Sequence, residues 1–222
     1  MIQVAQREVR SWARGDFGES RQYHVPVVEL IGARLRVSAS LLIQGILRGW
    51  LLALCVALPA SALRRGGWMW VAPFTLVLAI PTAAMATACI LTETGGPVFV
   101  LTLLIAAREF KFLRSLLADA WRAPHLLQGL AQGMTPWTLA RVHILPNIAP
   151  QLCPLGTLSI VTALGALVPI EVIFTVPGVG QLAWSAIMNR DLPVLIAVSL
   201  LMAVVVDLAG MLTTRTATLE AA

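Results

Sequence analysis

The chain of 222 residues is 58% hydrophobic and only 12% charged, with a mean hydropathy of +0.83. Soluble domains carry about 25% charged residues, so this composition and its long apolar runs exclude an ordinary soluble domain and indicate an integral membrane protein. The net charge of +5 and pI near 10.1 do not point to nucleic acid. The basic residues form no aromatic-interleaved patch; they flank apolar runs, where positive charge sets orientation and meets anionic lipid.

In chain order, residues 1–36 are too charged to span a membrane, with Arg7, Glu8, Arg10, Arg14, Asp16, Glu19 and Arg21. They lack the apolar core of a signal peptide and read as an extracytoplasmic or interfacial segment. Within them, Val27, Ile31 and Leu35 at fourfold spacing after Pro26 predict a short amphipathic helix. Five apolar spans follow, at roughly 37–63, 68–91, from 98 into a charged run near 108–119, 148–170 and 194–213. Each is close to the ~20 residues that cross a hydrocarbon core. The expected fold is all-α: a polytopic membrane bundle of about five helices over residues 37–214, with a tail at 215–222.

The long stretch 119–150 is the one that is not membrane-apolar. It reads as two short helices joined by a turn at Gly133, where positive φ is tolerated. Thr135 is the expected N-cap of the second helix, Pro136 its first residue, and Pro146 its end. Alternating spans bring Arg64, Arg65, the basic cluster around residues 108–141 and Arg215 to one side, which the positive-inside bias makes the cytoplasm. That assignment puts the N-terminus outside.

Cys55, Cys89 and Cys153 stand singly in apolar runs, so neither a disulfide framework nor a metal site is indicated. His24, His125 and His143 have no ligand partner at helical spacing. The stretch from Gly178 to Ala183 fits GxGxxA after a strand-like VIFTV. It lies between two spans without a βαβ unit, which argues against dinucleotide binding. No GxxxxGK[ST] occurs, so any ATP that drives this chain is bound by another polypeptide. Gln44 and Arg48 in the first span and Asp207 in the last are costly in lipid. They read either as members of an aqueous path or as groups that snorkel and bond locally. Gly and Pro residues inside the spans, Gly45 and Gly49 among them, permit close helix approach and kinks.

Membrane subunits of bacterial ABC importers carry a cytoplasmic pattern of EAA, three residues, Gly, nine residues and Ile-x-Leu-Pro. Here nine residues separate Gly133 from His143-Ile144-Leu145-Pro146, with Asn147 following. The chain resembles the dipeptide/oligopeptide/nickel branch of these permeases, whose form is close to RAxxxGxxxxxIxxxHILPN. A second block, from Ile170-Glu171 through Phe174, Pro177, Gly178 and Gly180 to Arg190-Asp191-Leu192-Pro193, is similar to that branch's E-x-x-F-x-x-P-G-x-G and R-D-Y-P segments. A third, Gly15-Asp16-Phe17-Gly18-Glu19-Ser20 with Pro26-Val27 and Arg34-Leu35, is similar to its GDxGxS…PV…RL segment.

The resemblance covers about residues 15–213, with departures. Leu127-Gln128-Gly129 replaces the EAA acid and alanines, and Gln44 and Arg48 are atypical. The usual first span and external region are absent, so the chain reads as a five-span permease or as one starting downstream of the family's usual start. The resemblance implies a multi-pass inner-membrane subunit that, with a second homologous permease, forms a path for peptides or similar small solutes. Two ABC ATPases binding ATP and Mg would lie below and an external binding protein above. No cofactor is expected on this chain. It implies a coupling helix within 119–147, using Gly129, Ala131, Gly133, Leu139, Val142, His143, Leu145, Pro146 and Asn147. Gln44, Arg48, Glu171 and Asp207 are candidates for the path. Nickel, another metal chelate or another solute is an alternative cargo, and a non-transporting membrane anchor for a cytosolic partner is an alternative role.

Overall fold

The computed structural model describes residues 17–62, 67–121 and 133–220, and among these helices dominate. They are α1 (Val27–Ala62), α2 (Gly67–Ala79), α3 (Thr82–Leu91), α4 (Pro97–Trp121), α5 (Pro136–Leu139), a π-helical segment (Ala140–Ile144), α6 (Leu145–Ile173), α7 (Val179–Met188) and α8 (Leu192–Glu220). Among the described residues β pairing amounts to one isolated bridge, Glu19 to Pro26. The strand-like run before the glycine motif is instead the end of α6 and a turn.

Three stretches are long and apolar enough to cross a membrane: Val27–Ser61, Trp137–Ile173 and Leu192–Met211. The pair Val71–Ala79 and Thr82–Leu91, bent by 97°, makes a fourth if it is one span. Its bend falls at Ile80-Pro81, where proline disfavours the helical region for the residue before it. The third expected span is α4, whose second half is crowded by Arg108, Glu109, Lys111 and Arg114. Its 25 residues reach ~37 Å, enough to cross a hydrocarbon core.

Two boundaries differ from the sequence reading. The short helix expected at 27–35 and the span expected at 37–63 are one helix, α1. No proline lies between residues 27 and 58, so the turn nucleated after Pro26 propagates without a stop; the division at residue 36 falls inside this helix. Nor does Pro146 end its helix. The Leu145 N–H reaches back five residues to the Ala140 carbonyl. This widened register bridges the step where Pro146 has no N–H to give, and the rod continues into α6.

The helices run side by side in a way the chain order conceals. Gly45 of α1 packs on Leu101 and Gly49 on Ile105, so α1 and α4 are parallel along their length. A Cβ on Gly45 would lie 2.5 Å from Leu101 Cδ2, and one on Gly49 would lie 2.7 Å from Ile105 Cβ. Hydrocarbon chains are as apolar as these side chains, so the gain comes from close packing of small residues rather than from the hydrophobic effect. Helix α6 runs antiparallel to both, with Ser159 opposite Glu109 and Trp50, and Glu171 opposite Ser38.

The apolar core forms three layers. One joins Phe110, Leu113, Leu117, Leu139, Ile144 and Ile148 near the end where α1 and α4 finish. A middle layer holds Leu101, Ile105, Ala166 and Leu167. The third joins Val27, Val179, Leu182, Val194 and Val198 at the opposite end. Large side chains such as Ile43, Leu47, Leu51, Leu76, Val204 and Leu208 face outward.

Candidate coupling and translocation site

At the end where α1 and α4 finish, the chain re-enters the described region at Gly133, whose φ of +83° only glycine adopts readily. Thr135 caps the following helix: its Oγ1 accepts from the Thr138 N–H at 3.3 Å, and its carbonyl accepts from the Leu139 N–H at 3.0 Å. From there the rod passes through the π segment into α6. The widened turn changes which residues share a face. Leu139, Ala140 and Ile144 are buried, with Leu139 and Ile144 in the same apolar layer as Phe110 and Leu117. Trp137, Arg141, Val142, His143, Pro146 and Asn147 are exposed.

Leu139 and Val142 are three residues apart, a spacing that puts them on one side of a regular α-helix, and the structure separates them. Leu139 anchors the rod to α4, while Val142 (55% exposed) and Trp137 (67%) are presented outward. Leu145 is half-buried between the two faces. Gly129 and Ala131 lie outside the described residues.

The opposite end is closed by two polar clasps. Glu171 is fully buried at the end of α6. Its Oε2 accepts from the Gly180 N–H at 2.7 Å and the Gln181 N–H at 3.1 Å, and its Oε1 accepts from Ser38 Oγ at 2.6 Å. Ser38 Oγ in turn accepts from the Val179 N–H at 2.7 Å. The first three N–H groups of α7, which have no partner inside that helix, are thus satisfied from α6 and α1. The carboxylate also faces the positive end of the α7 dipole.

Gly178 and Gly180 supply the space. A Cβ on Gly178 would fall on the Glu171 carboxylate, and one on Gly180 would lie 3.0 Å from the Val168 backbone. The sequence offered Glu171 as a path residue; the structure commits it to a buried helix clasp.

The second clasp was not singled out by sequence reasoning. Ser20 Oγ donates to Asp191 Oδ2 at 2.5 Å, and the Gln22 N–H donates to the same oxygen at 3.2 Å. The turn that presents Ser20 is closed by Val27 N–H to the Gly18 carbonyl at 3.1 Å and Ser20 N–H to the Val25 carbonyl at 3.0 Å. Burial pushes the Asp191 carboxyl up, but hydrogen bonds from Ser20 and from the Gln22, Arg21 and Val194 backbones outweigh it, so its pKa lies below the ordinary value. The signal lies in the GDFGES and RDLP blocks, but nothing in either says that they touch.

Gln44 and Arg48 lie on the outer side of α1. The Gln44 amide donates to Ser40 Oγ at 2.9 Å, and Arg48 Nη2 donates to Gln44 Oε1 at 3.3 Å. A shallow groove of about 390 Å³ runs beside Gln44, lined also by Arg36, Val37, Ser40, Leu41 and Val98. Asp207 sits elsewhere. It is exposed on α8 and borders a groove of about 610 Å³ between α6, α7 and α8, otherwise lined mainly by apolar groups such as Leu164, Ile187 and Met202. The four path candidates therefore do not converge. Between the clasps and the rod, Glu109 is buried in the bundle, its Oε1 accepting from Ser159 Oγ at 2.8 Å, while Trp50 Nε1 donates to the same hydroxyl at 2.9 Å.

The molecule is thus a helical bundle with an exposed, glycine-started rod entering α6 at one end and the Glu171 clasp at the other. Residues 45–218 match the model of the binding-protein-dependent transport system inner membrane component. The chain belongs to that family. Among its relatives, the dipeptide transport system permease protein DppB of Lactococcus lactis subsp. cremoris is 28% identical over 213 residues, 86% of this chain and 70% of that one. The metal-staphylopine import system permease protein CntB of Staphylococcus aureus is 35% identical over 108 residues, 49% of this chain and 34% of that one. DppB of Bacillus subtilis is 30% identical over 137 residues, covering 61% of this chain and 38% of that protein. Membership makes the chain a multi-pass inner-membrane component of a transport system, which accounts for its apolar helices.

Proposed function

We propose that the chain is a permease subunit of an ATP-driven importer for peptides or similar small solutes. With a second homologous permease it would form the path, moved by two ABC ATPases and supplied by an external solute-binding protein. The observation that carries this reading is the continuity of the rod, taken with the family membership. The exposed Trp137, Val142 and His143 surface is built into the same helix that crosses the membrane as α6 and ends at the Glu171 clasp.

In this reading the Gly133 end faces the cytoplasm and a groove of the ATPase, as a helix-in-groove contact. Trp137, Val142, His143, Pro146 and Asn147 meet the partner, and Leu139 ties their movement to α4. Gly129, Ala131 and Gly133 keep the approach close. ATP-driven closure then displaces α6 as a rigid element. The peptide preference is supported by the named dipeptide permeases among the relatives; a metal chelate is the second reading, supported by the staphylopine permease.

Affinity purification in mild detergent, with mass spectrometry of co-purifying subunits, tests the assembly. A second permease and an ATPase carrying GxxxxGK[ST] are expected, and recovery of neither would refute it. Gly133→Trp should abolish ATP-dependent uptake while the subunit remains inserted. Wild-type uptake by that variant would refute the coupling role.

A further inference from the structure

We propose that Arg48, held in place by Ser40 and Gln44, is the point at which this subunit recognises a carboxylate on the solute passing through it. The inference deepens the permease reading and rests on it.

Helix α1 is an inhospitable place for an exposed guanidinium: its apolar 18-residue window has a mean hydropathy of 2.0. Arg48 lies twelve residues beyond Arg36 on that helix, about 18 Å further along it. It also lies inside the Gly45–Gly49 contact with α4, far from either helix end. A charge at that depth faces a water-filled path or a neighbouring subunit rather than lipid.

Its setting distinguishes recognition from simple neutralisation. Ser40, Gln44 and Arg48 follow at four-residue steps, so they stack along one side of the helix. Gln44 gives its N–H to Ser40 and turns its carbonyl oxygen to Arg48, which fixes the guanidinium through a neutral partner. Among the described residues this is the one hydrogen bond that Arg48 makes, and it uses one of five guanidinium donors. The positive charge is therefore positioned but not cancelled.

A groove beside the same helix is lined by Arg36, Ser40 and Gln44, and Arg48 stands about one turn beyond Gln44. An anionic solute would meet Arg36 first and Arg48 deeper in. A planar carboxylate is the group that the remaining donors of a held guanidinium fit in bidentate fashion.

The test uses the complete transporter in proteoliposomes with ATP. The solute-binding protein is saturated in turn with dialanine and with dialanine amide, which lacks the carboxylate. Arg48→Gln should slow dialanine uptake by about tenfold or more, the loss of a charge-assisted hydrogen bond, and leave amide uptake within about twofold of wild type. Arg48→Lys should recover part of the dialanine rate. Equal slowing of both solutes would overturn the proposal and make Arg48 an ion-pair partner of the neighbouring subunit. Unchanged uptake of both would overturn it as well. Absence of dialanine uptake by the wild-type transporter would overturn the peptide reading itself, and this inference with it.

Discussion

Replacing Gly178 with alanine isolates the Glu171 clasp. Gly178 has φ −107° and ψ −173°, extended backbone that alanine adopts without strain, so the substitution acts through space alone. Its Cβ would coincide with the Glu171 carboxylate, which is fully buried and held by hydrogen bonds from Ser38, Gly180 and Gln181. Displacing that carboxylate leaves at least two buried donors without their acceptor, the Gly180 N–H and Ser38 Oγ. At about 1–3 kcal/mol for each unsatisfied buried group, the expected loss is about 2–6 kcal/mol. For a protein of this size that lowers the melting temperature by roughly 2–4 °C per kcal/mol.

The fold supplies its own reporter. Cys89 is buried while Cys55 and Cys153 are exposed, so a Cys55→Ser, Cys153→Ser background leaves one thiol that reacts with a dye on unfolding in detergent. A double-mutant cycle completes the argument. Once Glu171→Ala has removed the carboxylate, Gly178→Ala should cost almost nothing more. An equal cost in both backgrounds, or no cost in the wild type, would refute the clasp.

Two further outcomes follow from the packing and the charges. Gly49→Leu should force α1 away from Ile105 and Thr102 and destabilise the bundle by about 1–3 kcal/mol, typical of overpacking; an unshifted melting temperature would contradict the parallel α1–α4 contact. Asp191 has a lowered pKa, so its contribution to stability is present above the ordinary carboxylate value and is lost as pH falls below that value and through the lowered pKa of the folded state. Acid should therefore release the residue 18–27 turn from the α7–α8 corner, read as faster proteolysis after Arg21. Asp191→Asn should flatten that dependence, and an unaltered acid profile in the variant would refute the assignment.

The sequence by itself determined the class of this protein, the apolar character of its helices and the Gly133 start of its rod. Hydropathy and charge act along the chain, and a run of apolar residues must be satisfied as helix in lipid whatever its neighbours. The Gly133 turn and the Thr135 cap were legible for the same local reason: each is a backbone requirement met within four residues.

What the local signal could not carry was decided by packing. Pro146 is a helix stop by rule, but a π turn absorbs it when both flanking segments are already held, Leu139 and Ile144 against α4 and α6 against the bundle. The GxGxxA run looked like a nucleotide loop because close backbone approach and a helix start are what such a motif encodes. Here they serve a glutamate instead of a phosphate. The partners of Glu171 and Asp191 lie 133 and 171 residues away, at Ser38 and Ser20. Only the parallel pairing of α1 with α4 and the return of α6 bring those groups together, because no property of either segment alone names the other.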